Sequence, residues 1–148
     1  MRLKRVIGAL AVAVVAAQGL AGCDPEGIIV YRDDGWRGGR YVFSGSDANY
    51  ESNDFEGTST DIGDKVSSVF NNTDRWVAFF EHDTYQGDAV CVAPRTRVND
   101  LGDYNLNHAV NQPFSSLEDE ASSHRTYTTR PVRWEDGGPC DVYVPPQT

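Results

Sequence analysis

An eight-residue pattern occurs twice in this chain. Tyr31-Arg32-Asp33-Asp34-Gly35-Trp36-Arg37-Gly38 and Phe80-Glu81-His82-Asp83-Thr84-Tyr85-Gln86-Gly87 share one form: aromatic, four residues, aromatic, one residue, glycine. They start 49 residues apart. Each is followed by a hexapeptide ending in a Ser-Ser pair. Gly63-Asp64-Lys65-Val66-Ser67-Ser68 follows the first, and Asn111-Gln112-Pro113-Phe114-Ser115-Ser116 follows the second, 48 residues further on. Two matches in the same order at nearly the same offset indicate an internal duplication. The unit has the size of a four-stranded Greek key, about 40–45 residues. The first aromatic belongs at a strand end, and the second aromatic with its glycine belongs in a folded hairpin, where glycine lets the backbone bend beneath the ring. One such unit leaves an apolar sheet face in water, and two packed face to face bury it.

The rest of the chain agrees with an all-β fold. No long stretch shows helical periodicity. Short β-branched and aromatic runs stand between Gly, Asn, Asp and Ser: Ile28–Tyr31, Arg40–Phe43, Val66–Phe70, Trp76–Phe80, Ala89–Val92 and Phe114–Leu117. Such spacing reads as a sandwich of short strands. Beyond the duplication, residues 119–148 form a C-terminal extension. There Val132-Arg133-Trp134 and Val142-Tyr143-Val144 are candidate added strands or a clasp over a sheet edge, with a turn forced by Gly137-Gly138-Pro139.

The N-terminus reads as an address. Arg2, Lys4 and Arg5 precede the apolar run Val6–Ala17, which is too short to span a bilayer as a permanent helix. Leu20-Ala21-Gly22-Cys23 then matches the bacterial lipobox, so residues 1–22 are expected to be removed and Cys23 lipidated. Residues 23–27 become a linker, and the protein an exported one, lipid-anchored on the outer face of the bacterial cytoplasmic membrane. Losing three of the 13 basic residues and none of the 22 acidic ones leaves 10 against 22, a charge of −12. That excludes nucleic acid as a partner, whose phosphates require a basic face, and excludes direct binding to anionic lipid. With Cys23 consumed, Cys91 and Cys140 remain as an even pair in an oxidising compartment, and one disulfide is expected.

The motifs Tyr31…Trp36-x-Gly38 and Phe80…Tyr85-x-Gly87 resemble the hairpin signature of the βγ-crystallin superfamily. The Ser-Ser hexapeptides resemble its calcium motif. The order Gly63–Ser68, Asn71-Asn72-Thr73, second hairpin, Asp100-Leu101-Gly102-Asp103-Tyr104 is similar to the exported bacterial metalloproteinase-inhibitor family. The resemblance implies two Greek-key motifs, 28–73 and 74–118, forming one βγ-crystallin-like sandwich over 28–118. It also implies a non-catalytic binding module that inhibits a secreted peptidase. Weak calcium binding by a structural envelope protein is the alternative.

For calcium, the matching positions are Asp64, Ser67, Asn111 and Ser115. Gly63 and Gln112 each replace a short oxygen side chain, and Pro113 stiffens the second copy. The serines serve equally well as loop caps. No cofactor is required, and calcium is the one ion implied. For inhibition, the family's activity needs a rigid exposed loop. Pro94-Arg95-Thr96-Arg97-Val98, next to Cys91, is the candidate, with an ordinary connecting loop as the other reading. No nucleophile elbow, phosphate loop or zinc spacing occurs, so no catalytic residue is expected, and a monomer is the simplest state.

Overall fold

A computed structural model describes residues 23–106 and 116–147. Eight strands run in chain order: β1 (Gly27–Asp33), β2 (Arg37–Phe43), β3 (Ser68–Asn72), β4 (Trp76–His82), β5 (Gln86–Val92), β6 (Thr96–Val98), β7 (Ser123–Tyr127) and β8 (Val142–Val144). They form two four-stranded sheets, β2-β1-β3-β6 and β7-β4-β5-β8. All neighbours pair antiparallel except β5 and β8, which are parallel. The all-β sandwich expected from the repeat is what the chain forms.

Alternation along the strands builds the core. Ile28 and Val30 of β1, Val69 of β3, Val77 and Phe79 of β4, and Val90 and Val92 of β5 point between the sheets and are fully buried. The intervening residues make smaller clusters on the outer faces. Ile29, Tyr31 and Phe70 form one on the first sheet, and Ala78, Phe80, Ala89 and Cys91 form one on the second.

Strand exchange ties the halves together. β6 lies in the second repeat yet pairs with β3 of the first sheet, Val98 opposite Val69. Reciprocally, Asp47 of the first repeat bridges His124 of β7 in the second sheet. At this crossing His124 is buried and fully satisfied. Its Nε2 lies 2.6 Å from the Gly45 carbonyl and its Nδ1 lies 2.7 Å from the Tyr50 hydroxyl. A carbonyl only accepts, so Nε2 carries the proton and Nδ1 accepts from Tyr50. Burial holds the imidazole pKa down at about 4, against opposing effects from the Gly45 bond and the Asp47 charge. The same burial raises the Tyr50 phenol well above its ordinary value.

The last strand of the second repeat lies outside the expected domain boundary at 118. β7 begins at Ser123, and Ser116 and Leu117 are not in a strand. The domain therefore reaches Tyr127 at least. The extension adds a further strand, β8, beside β5. Val132–Trp134 forms no strand, only a bridge from Arg133 to Cys140 and a turn over Trp134–Asp136 that ends at Gly137, where φ is 82°.

Candidate cation sites and inhibitory surface

The two hairpins are built alike. Trp36 and Tyr85 adopt left-handed backbone at φ 59° and 63°, each followed two residues later by a glycine at φ 74° or 79°. A Cβ on Gly38 would stand 2.6 Å from Asp33 Oδ2, and one on Gly87 would stand 2.9 Å from Glu81 Oε2. The positive φ is what calls for glycine here, since the crowding atoms are carboxylate ends that can move. In the second hairpin the expected ring pair forms, Phe80 and Tyr85 lying 5.8 Å apart. In the first, the Arg97 guanidinium stacks over Trp36 at 5.3 Å and over Phe70 at 3.8 Å.

A buried serine pins each hairpin. Ser68 Oγ donates to the Asp33 carbonyl at 2.7 Å and accepts from Trp36 N–H at 3.0 Å. Ser123 Oγ donates to the His82 carbonyl at 2.6 Å and accepts from Tyr85 N–H at 3.2 Å. Ser123 is thus the counterpart of Ser68. Asp64 and Asp119 match in turn, with φ of 52° and 54°. The second hexapeptide is therefore Glu118-Asp119-Glu120-Ala121-Ser122-Ser123, seven residues beyond the one read at 111–116. This corrects the assignment of Asn111 and Ser115, which themselves lie outside the described residues.

Correct register brings the hexapeptides together across the sandwich. Ser122 Oγ donates to Asp64 Oδ1 at 2.6 Å, and Ser67 Oγ lies 3.2 Å from Asp119 Oδ1 while bonding the Arg32 carbonyl at 2.7 Å. Beside Asp119, Asp34, Asp100 and Glu118 each bring a carboxylate oxygen within 4.8 Å of the others. Asp34 Oδ1 is shielded from solvent and has no hydrogen-bond partner. Desolvation, then the surrounding carboxylates with Asp100 first, push Asp34 and Glu118 above the usual carboxylate range. A hard divalent cation suits such a set of oxygens.

The pseudo-equivalent site is poorer. The bonds Gly35 N–H to Asn99 O (2.9 Å) and Leu101 N–H to Ser67 O (2.8 Å) are repeated as Thr84 N–H to Ala48 O (2.7 Å) and Tyr50 N–H to Ser122 O (2.9 Å). By that correspondence Asp34, Asp100 and Glu118 become Asp83, Asn49 and Gly63, so two of three carboxylates are gone. What remains is an open depression lined by Asn49, Glu51, Asp64, His82, Asp83 and Ser122.

The segment Pro94–Val98 is not a projecting loop. Thr96, Arg97 and Val98 are β6, with Thr96 and Val98 only 0% and 1% exposed. The polar composition misleads because both arginines are engaged. Arg97 bonds Asp24 and lies on Phe70, and Arg95 bonds Asp74 and Asn72. Only Arg95, at φ 55°, stands exposed at the turn. Residues 24–25 are likewise held against the domain rather than hanging as a linker, since Asn72 Nδ2 donates to the carbonyls of Asp24 at 3.1 Å and Pro25 at 2.8 Å. Cys23 is exposed and unpaired.

Cys91 and Cys140 form the expected disulfide, Cα–Cα 5.6 Å. It ties the strap 131–141, which leads into the edge strand β8, to the outer face of the second sheet. Ala89 and Asp141 exchange bonds, Ala93 N–H reaches the Val144 carbonyl, and the Tyr143 hydroxyl donates to the Pro131 carbonyl at 2.5 Å. Val132 and Trp134 project from this strap, 53% and 55% exposed.

This architecture defines a two-motif Greek-key sandwich of the βγ-crystallin class. A solved structure described as "Evolution of the eye lens beta-gamma-crystallin domain fold" is 22% identical over 75% of this chain and 95% of its own, with a TM-score of 0.56. A beta gamma crystallin from Ciona intestinalis is 20% identical over 68% of this chain and 98% of its own, with a TM-score of 0.50. No curated protein matches the chain. The model of peptidase inhibitor family I36 matches residues 16–92, and the chain belongs to that family.

Proposed function

We infer that this chain is an exported, non-catalytic peptidase inhibitor, acting as a monomer and held at the outer face of the cytoplasmic membrane by lipid on Cys23. Membership of the inhibitor family carries the reading. The disulfide-stapled strap supports it, because an inhibitor must present its contact surface in one conformation to avoid a large ordering cost on docking. Titration of the mature chain against secreted metallo- and serine peptidases tests it. Inhibition of at least one enzyme at micromolar chain or below is the expected result, and no inhibition of any would end the reading. Cys23→Ala should release the protein from membranes or block its processing. A variant still cut at the same bond and still membrane-bound would refute the anchor.

Calcium binding is a second reading, favoured by the unpartnered Asp34 oxygen facing Asp100 and Glu118. Three carboxylates with Asp119 and Ser67 nearby fit a site in the range of extracellular modules, Kd on the order of 10⁻⁴ M. A bound ion stabilises the native state, so millimolar Ca²⁺ should raise the melting temperature, and Glu118→Gln should abolish that rise. A melt indifferent to Ca²⁺ would dismiss the site.

A further inference from the structure

The outer face of the second sheet carries a positive, aromatic surface on an otherwise acidic molecule. Tyr127, Trp76 and Tyr143 form a row across β7, β4 and β8. Tyr127 is paired in register with Trp76, and the Trp76 and Tyr143 rings meet edge to face at 5.8 Å. Three exposed guanidiniums lie on these rings. Arg130 is 4.0 Å from Tyr143 and 5.8 Å from Trp76, Arg133 is 5.0 Å from Tyr143, and Arg125 is 5.7 Å from Tyr127 and 5.6 Å from Tyr85.

None of the three makes an ion pair among the described residues. The first sheet differs: its stacked guanidinium, Arg97, is neutralised by Asp24. Beside the arginines the strap raises Val132 and Trp134, and the exposed Glu135 and Asp136 occupy the turn beyond.

We propose that this face, with the strap crossing it, is the surface through which the inhibitor docks an acidic rim of its peptidase. The proposal rests on the inhibitor reading and names its contact surface. Tyrosine, tryptophan and arginine are the residues that concentrate binding energy at protein interfaces. Stacking holds each guanidinium in place before the partner arrives, so little freedom is lost on contact. The disulfide and the Tyr143–Pro131 bond do the same for the strap. Charge sets the orientation of encounter. The remainder of the surface repels an acidic partner, and this patch attracts it.

The test uses the mature chain with Cys23→Ser, assayed for inhibition of a panel including thermolysin and subtilisin at 50 mM and 500 mM NaCl. Replacing all three arginines, Arg125→Gln, Arg130→Gln and Arg133→Gln, should raise the inhibition constant about tenfold or more at low salt, mostly through slower association, and should flatten the salt dependence. Lysines at the same positions should retain the salt dependence. Trp134→Ala should cost about tenfold or more, and Arg40→Gln, on the other sheet, should change nothing. If the parent inhibits and both the glutamine triple variant and Trp134→Ala stay within about twofold of it, the surface is wrong and the inhibitor reading stands. If the parent inhibits no enzyme, the reading falls and the docking surface with it. Arginine-dependent sedimentation of the chain with phosphatidylglycerol vesicles would overturn the proposal in favour of a lipid surface.

Discussion

Acidification should weaken this fold through a single buried side chain. His124 is neutral in the folded protein, with a pKa of about 4 against an ordinary value of 6.5. Between those values the unfolded chain binds a proton that the folded one refuses. Stability rises with pH wherever the unfolded state holds more protons. The contribution of His124 is therefore fully present above pH 6.5, declines as pH falls through the window from 6.5 to 4, and is gone below it. At about 1.4 kcal/mol per pKa unit the full effect is roughly 3.5 kcal/mol, of which about 2 kcal/mol is lost by pH 5.

The geometry explains the refusal. Protonation would place a second donor on Nδ1, facing a Tyr50 hydroxyl that already donates to it, in a site without water-accessible surface. The assay is urea unfolding at pH 7.5 and pH 5.0 on the parent and on His124→Gln, which does not titrate. Carboxylates contribute to both proteins and cancel in the comparison. The parent should lose about 2 kcal/mol more than the variant over this interval. Parallel losses in the two proteins would show that His124 is protonated in the fold and that the burial argument is wrong.

Replacing both bridging cysteines, Cys91→Ser with Cys140→Ser, opens a loop spanning 49 residues. The expected cost is at most roughly 4 kcal/mol, read as a lower melting temperature with early proteolysis in residues 131–147. An equally protected tail would contradict the stapling role. Ser68→Ala and Ser123→Ala each remove two part-buried hydrogen bonds, one to a carbonyl and one from a hairpin N–H, and should each cost about 1–3 kcal/mol in chemical denaturation, whereas Ser116→Ala should stay within about 0.5 kcal/mol. The reverse ranking of Ser116 and Ser123 would restore the register read from the sequence.

The duplication was legible because its hairpins place an aromatic and a glycine at positions where few other residues fit. Five of the six strand runs fall on β1 to β5. The second Ser-Ser hexapeptide was misplaced for a physical reason. Two Ser-Ser pairs follow the second hairpin, and the nearer one matches the repeat offset. The true one opens β7, whose sequence Ser123-His124-Arg125-Thr126-Tyr127 contains no aliphatic residue. Its inward side chains are a hydrogen-bonded histidine and Thr126, so no hydrophobic alternation marks the strand. With β7 unseen, nothing in the sequence sets Glu118 and Asp119 beside Asp34, Asp100 and Ser67, where the fold places them. The arginines of 94–98 misled in the same way. A guanidinium lying on Phe70 is packed, although its residue type suggests solvent.

The exchange of β6 and residue 47 between sheets makes the two repeats a covalently joined obligate pair. A fragment ending at residue 73 would lack the strand that borders β3, and a fragment starting at 74 would lack the Gly45 and Tyr50 groups that satisfy His124. Each would carry an open sheet edge and half a core into water, so neither is a folding unit. Unfolding should pass through one cooperative transition spanning both halves, and insertions that part the repeats at residues 73–75 would strain the pairing itself, where Arg95 N–H meets the Thr73 carbonyl. Diversification of this scaffold is accordingly confined to its faces and its strap, where residues can change without loosening the knot of strands beneath.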